Sequence, residues 1–327
     1  MKNRFFIFLL SLVFFLPGCE REAITIDDVD TSSPLPPAGV RIDRAEDGYI
    51  LLSWHANAER DIDGYIIYRS EDANQTFQVI DTVRNAYFID EHRSYDTTYF
   101  YCVTAIDESG NESARSVIVS ARAENKNTPA VPKNFLVYGR NQSSGKYFLL
   151  EWKPNDESDL AGYKIYRSLS PTVKQESSFL LTQVNTAFYQ DTSASLIGTS
   201  YYYAVAAIDR GGKESELSPM RTDVITEIPI LVRPASFASV SLTQQLQFVW
   251  KASAGAGVYK LVVSTSEFSG EVTSFLVDPT GSGEQSLQYR GPSLSIGKLY
   301  YWRVYTLTVS TINPNAASEV RAFQIVE

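Results

Sequence analysis

Apolar residues recur at every second position in three stretches of the chain: Ile50, Leu52 and Trp54; Phe148, Leu150 and Trp152; Leu246, Phe248 and Trp250. A period of two places alternate side chains on one face of a β-strand. The three Trp stand 98 residues apart, so the pattern is an internal repeat. A second strand follows each Trp. It reads DGYIIYRS at 63–70, AGYKIYRS at 161–168 and, more loosely, GVYKLVVS at 257–264. A further strand is TTYFYCVTAID at 97–107, TSYYYAVAAID at 199–209 and KLYYWRVYTL at 298–307.

The segments ESGNES at 108–113 and RGGKES at 210–215 read as hairpin turns, with Gly110, Gly211 and Gly212 supplying positive φ. Prolines open each copy: Pro34, Pro36 and Pro37; Pro129 and Pro132; Pro229 and Pro234. Proline at an edge-strand start blocks unwanted edge pairing. About seven short strands per hundred residues, without helical periodicity, predict β-sandwiches. The boundaries expected are 34–124, 125–227 and 228–327. Interfaces between linked domains are usually small, so the copies are expected to unfold separately.

These residues resemble the fibronectin type III domain. The matching features are the Trp of the second strand, the G-Y-x-I-Y segment and the T-x-Y-x-Y-x-V-x-A run. The resemblance implies an all-β chain of three tandem immunoglobulin-like sandwiches, with Tyr99, Tyr201 and Tyr300 as tyrosine corners. Such domains serve as spacers and binding modules, so the resemblance implies a fold and no activity.

The first residues are of another kind. Lys2 and Arg4 precede an apolar run from Phe5 to Phe15, which is too short for a stable membrane span, and Leu16-Pro17-Gly18-Cys19 follows. This resembles a bacterial lipoprotein signal. The resemblance implies that residues 1–18 are removed and that the Cys19 thiol carries the lipid. Residues 19–33 read as an acidic tether, stiffened by the prolines of SSPLPP at 32–37. Glu20 rather than Asp follows the Cys, which favours the outer membrane over the inner one if enterobacterial sorting rules hold.

Composition narrows the function. The 327 residues hold 20 Tyr and 17 Phe but only 2 His and 2 Cys. Loss of Lys2 and Arg4 takes the net charge from −9 to −11 and leaves Cys102 without a partner for an intramolecular disulfide. An acidic chain lacks the positive field that nucleic acid requires. Residues 34–124 carry 16 acids against 8 Arg and no Lys, whereas 228–327 carry 7 bases against 6 acids. His55 and His92 lie on solvent faces or loops beside no nucleophile, and no phosphate loop, HExxH or CxxC occurs, so no enzyme and no cofactor is expected. No metal site is expected either. Asp61 and Asp63 could ligate calcium, but EF-hand spacing is absent, and Asp at turns serves the backbone equally well.

Alternation leaves aromatics on the outer sheet faces. Tyr68 with Phe100, and Tyr166 with Tyr202, form the expected binding surface; Cys102, Tyr301 and Tyr305 also point outward. The reading is a non-catalytic, lipid-anchored protein of a bacterial envelope, acting as a spacer, adhesin or interaction module. Its partners are the membrane and an envelope protein or glycan. The alternative is a glycan-binding surface lipoprotein of a saccharide uptake or degradation system.

Overall fold

A computed structural model describes residues 30–72, 74, 76–241, 243–308 and 313–327. The signal segment 1–18, Cys19 and the tether as far as 29 lie outside the described residues. The chain is all-β. In the first copy the strands are β1 (Ala38–Glu46), β2 (Tyr49–His55), β3 (Ile62–Ser70), β4 (Gln78–Val83), β5 (Tyr87–Asp90), β6 (Tyr99–Asp107) and β7 (Val119–Ala121). In the second they are β8 (Lys133–Gln142), β9 (Gly145–Lys153), β10 (Leu160–Ser168), β11 (Leu180–Val184), β12 (Phe188–Asp191), β13 (Ser200–Asp209) and β14 (Arg221–Val224). The third has β15 (Leu231–Arg233), β16 (Ala238–Ser241), β17 (Gln247–Lys251), β18 (Val258–Ser264), β19 (Glu271–Val277), β20 (Glu284–Gln288), β21 (Leu299–Leu307), β22 (Ala316–Ala317) and β23 (Arg321–Val326).

Strand order shows one arrangement used repeatedly. Sheets β1-β2-β5 and β15-β17-β20 have three strands, and sheets β4-β3-β6-β7 and β11-β10-β13-β14 have four. The remaining sheet has nine. It runs β12-β9-β8-β22-β21-β18-β19, with β23 pairing β21 and β16 pairing β23. By contacts the chain forms two compact units. One comprises residues through 41, 53–88 and 100–120; the other comprises 42–52, 89–99 and 121–327. The second and third copies thus belong wholly to one unit.

Each core is built around the Trp that the repeat predicts. Trp54, Trp152 and Trp250 are buried. Each meets the edge of a strand tyrosine, Tyr65, Tyr163 or Tyr259, with ring centroids 5.3, 5.1 and 5.4 Å apart. Those tyrosine hydroxyls accept backbone N–H bonds from Asn57, Asn155 and Ser253 at 2.7–2.9 Å. One ring therefore supplies both apolar area and the partner of a loop amide that burial would otherwise leave unsatisfied. Tyr99 and Tyr300 accept N–H bonds from Ser94 and Ser295, as tyrosine corners should. Among the described residues Tyr201 makes no such bond; its ring lies under the Arg167 guanidinium at 5.7 Å.

In the second copy a buried carboxylate ties the sandwich together. Asp191 is fully buried and accepts Tyr203 Oη at 2.8 Å, Arg167 Nη1 at 2.6 Å and Ser193 Oγ at 2.7 Å. Burial raises its pKa, but these three partners together outweigh burial and hold it below the usual carboxylate range. A depressed pKa stabilises the fold above the unfolded-state value of about 3.9 and ceases to do so as pH falls through the folded value. Asp191→Ala should cost about 3 kcal/mol at neutral pH, because the Arg167 charge loses its partner. In urea titrations the gap from the natural protein should narrow steadily below pH ~4. A gap independent of pH would show that the carboxylate's charge contributes nothing.

The second and third copies are joined by more than a linker. Strand β22 pairs β8 in parallel at Ala316 and Asn141. Asn141 Nδ2 donates to Thr226 O at 2.8 Å, and Asn315 Nδ2 donates to Val224 O at 2.6 Å. Asn315 Oδ1 accepts from Thr226 N at 2.9 Å, and the Thr226 and Thr306 hydroxyls are 2.6 Å apart. All four side chains are buried. Buried polar groups with their bonds complete fix one geometry. Separate unfolding of these two copies is not what such a seam predicts.

Other details also depart from the sequence reading. Gly110 and Gly212 have φ of +86° and +90°, but Gly211 has no positive φ. Its constraint is room, since a Cβ there would stand 1.7 Å from Asn125 Nδ2. The tether is docked from Asp30 onward: Asn111 Nδ2 donates to Asp30 O, Leu35 N to Glu59 Oε1, and Asn57 Nδ2 to Leu35 O.

Candidate functional site

The outer face of the sheet carrying the G-Y-x-I-Y strand is where the outward aromatics fall in each copy. In the first, Tyr68 lies opposite Cys102, and Ser70 lies opposite Phe100. The expected Tyr68/Phe100 pair is therefore offset by two residues. Tyr68 Oη donates to Glu112 Oε1 at 2.5 Å, and the Arg115 guanidinium covers the Tyr68 ring at 4.6 Å and the Phe77 ring at 5.5 Å. Phe100 is half-buried. Cys102 does not face solvent; it is fully buried, and burial pushes its thiol pKa up.

In the second copy the correction is larger. Tyr166 is only 3% exposed and lies opposite Ala204, while Tyr202 is half-buried opposite Ser168. Tyr166 Oη donates to Glu214 Oε2 at 2.8 Å. Gln175 Nε2 donates to the same oxygen at 2.9 Å, and Lys164 pairs with the other. The loop between β10 and β11 thus brings Gln175 onto the carboxylate that holds Tyr166. Burial first, then the Glu214 bond, raises the Tyr166 pKa. Alternation assigned the correct face, but it does not register a loop folding over that face.

In the third copy no loop among the described residues folds over the face, though the Arg303 guanidinium lies 5.6 Å from the Tyr305 ring. Leu276, Lys260, Tyr305 and Ala317 form one row across β19, β18, β21 and β22; Ser274, Val262 and Arg303 form the next. The alanine beside Tyr305 leaves room along the ring. Between β18 and β19 the chain makes a serine-rich turn. Ser264 Oγ donates to Ser266 O at 2.6 Å, Ser269 N to Ser266 Oγ at 3.1 Å, and Thr265 N to Gly270 O at 2.9 Å. Gly270 takes φ of +73°, which a side chain would resist. This turn presents Phe268 with 91% of its surface exposed. A groove results, lined by Phe268, Lys260, Arg303, Tyr305, Glu267 and Glu271 among others. A second hollow shares Arg303, Tyr305 and Pro314 and continues to Asn141 and Gln142 at the seam with the second copy.

The groove's charges are not paired with one another. Among the ion pairs of the described residues, Lys260, Arg303, Glu267 and Glu271 take no part. Arg303 donates through Nη1 to Tyr305 Oη at 3.3 Å, and its Nε is buried without an acceptor. Phe268, Lys260 and Arg303 escape the sequence reading. Their one legible signal is a Phe placed inside a Ser/Gly turn, where no core demands it.

The acidic loops divide otherwise than expected. Asp63 is paired with Arg84 at 2.8 Å on the surface. Asp61 instead gathers with Asp30 and Asp107, one carboxylate oxygen of each lying within 4.8 Å of the others. These are the described residues that could hold a cation. Asp107 already accepts Ser109 N, Asn111 N and Asn111 Nδ2 at 2.8–3.0 Å, which is turn chemistry. Both histidines are exposed. His92 Nδ1 stands 2.6 Å from Ser158 O and 3.0 Å from Arg210 Nη2. The His55 ring fills the space where a Cβ on Gly39 would come within 2.8 Å.

No family model matches the chain. Exoglucanase B of Cellulomonas fimi is 25% identical over 243 residues, covering 70% of this chain and 20% of that protein. Chitinase A1 of Niallia circulans is 27% identical over 205 residues, covering 59% and 26%. The chain thus spans about a fifth to a quarter of these relatives. Among solved structures, the FN1–FN3 domains of chicken CNTN1 align over 90% of this chain and 99% of theirs, with 15% identity and a TM-score of 0.36. A Fn3-like protein from Clostridium thermocellum covers 29% of this chain and 99% of its own, with 21% identity and a TM-score of 0.26. The chain is thus similar in sequence to part of an exoglucanase and part of a chitinase.

Proposed function

We propose that the protein is a non-catalytic, lipid-anchored component of a bacterial envelope, whose fibronectin type III-like repeats hold an interaction surface away from the lipid. The observation that carries this reading is the seam at Asn141, Thr226 and Asn315, which makes two successive copies one body. A spacer must resist bending between its units, and a shared sheet with buried hydrogen bonds does so. The two histidines, both exposed, and the Asp63 carboxylate, paired with Arg84 on the surface, fit the same reading. The N-terminal pattern around Cys19 supports anchoring, and Glu20 supports the outer membrane. Partners are then the membrane, through the lipid, and an envelope protein or glycan.

Anchoring is tested at its acceptor atom. Cells fed a clickable fatty acid should label the natural protein, and Cys19→Ser should abolish the label and leave unprocessed precursor. Label retained on the serine variant would remove the lipoprotein reading. A second reading, glycan binding, is favoured by the open aromatic groove of the third copy. The named relatives, an exoglucanase and a chitinase, lend it support by partial sequence similarity alone.

A further inference from the structure

We propose that the groove over β18, β19 and β21 binds a neutral saccharide chain, an inference that rests on the glycan-binding reading and gives it a site. The first argument is charge. Lys260 and Arg303 can only donate hydrogen bonds, and Glu267 and Glu271 in their ionised form can only accept them. All four line one groove, and no two of them form an ion pair. An aliphatic ligand would strip water from four charges and replace it with nothing. A polyanion would meet two carboxylates, and a polycation two bases. A hydroxyl both accepts and donates, so a neutral polyol can satisfy both signs together.

The second argument is shape. Phe268 projects from a turn locked by four serine and threonine residues, so the backbone that carries the ring is ordered before a ligand arrives. Tyr305 stands on a strand beside alanine, half-exposed. The exposed Phe268 ring and the face of Tyr305 away from the Arg303 guanidinium, which lies 5.6 Å from that ring, offer flat apolar surfaces, and the C–H faces of pyranose rings pack on such surfaces. The groove is open at the side and continues past Tyr305 to Gln142, so it suits a chain of several sugars better than a monosaccharide. In the first two copies Arg115 and Gln175 occupy the corresponding faces, so the third copy is the place for such a ligand.

The test uses the full acylated chain in detergent micelles, applied to an array of neutral and acidic oligosaccharides. Neutral oligomers should be bound, with little loss on raising salt to 0.5 M. Phe268→Ala and Tyr305→Ala should each weaken binding at least tenfold. Phe268 buries almost nothing, so its variant keeps the fold, which circular dichroism checks. Equal binding by both variants would overturn the site while leaving glycan binding to be placed elsewhere, with Tyr68→Ala as the comparison. Capture of acidic glycans only, abolished by salt, would overturn the neutral ligand. Capture of no neutral glycan would overturn the proposal altogether, and neither result would touch the anchored spacer, which fatty-acid labelling decides.

Discussion

Gly139→Ala should split one unfolding transition into two. Gly139 lies on β8 at the seam, where a Cβ would stand 2.0 Å from Val224 O and 2.8 Å from Asn315 Nδ2. Its N–H already donates to the buried Asp223 Oδ2 at 2.7 Å. The strand cannot retreat without breaking that bond, and Val224 cannot move without losing its bond from Asn315. Overpacking of this kind costs about 1–3 kcal/mol, and each buried group left unpaired adds about as much again. A total of about 3–5 kcal/mol is a large part of a domain's stability. Calorimetry of the natural protein should show the second and third copies melting together. In the variant the third should separate from the second. An unchanged single endotherm would mean that the seam does not couple them.

Trp250→Ala should be the most damaging of the three Trp replacements in its reach. Trp250 is fully buried, and its core includes Phe248, Tyr259, Trp302 and Phe323. Emptying that site should cost about 3–5 kcal/mol, because lost transfer energy and the cavity add. The seam gives the damage a path. When the third copy loosens, Asn315 and Ala316 withdraw from Val224 and Asn141, and the second copy loses those partners. Hydrogen exchange should therefore accelerate in β8 and β14 as well as in β17 and β21. Acceleration confined to 228–327 would show that the two copies are energetically independent.

Much of the architecture was legible. A period of two and a repeat of 98 need only local chemistry, because a strand with one buried face must alternate and a duplicated fold must repeat its largest core side chain. Trp54, Trp152 and Trp250 are buried for that reason, as are Tyr65, Tyr163 and Tyr259. The binding surface was half legible. Tyr68 and Tyr166 do stand on the outer face, yet Arg115 and Glu214 come from chain that is 47 and 48 residues away in sequence, and periodicity carries no signal of such a cover.

What the sequence alone determined is the class of each strand, the repeat, the burial of its aromatic core and the residues that could address the chain to a membrane. Each depends on neighbours along the chain. Tertiary structure decided which outer face stays open, which carboxylates meet, and whether copies share a sheet. Asp61 meets Asp30 and Asp107 rather than Asp63, and Ala316 pairs Asn141 across 175 positions. These outcomes depend on how loops pack after the strands have formed. Loop closure costs little more for a long segment than for a short one, so spacing along the chain leaves such meetings undetermined.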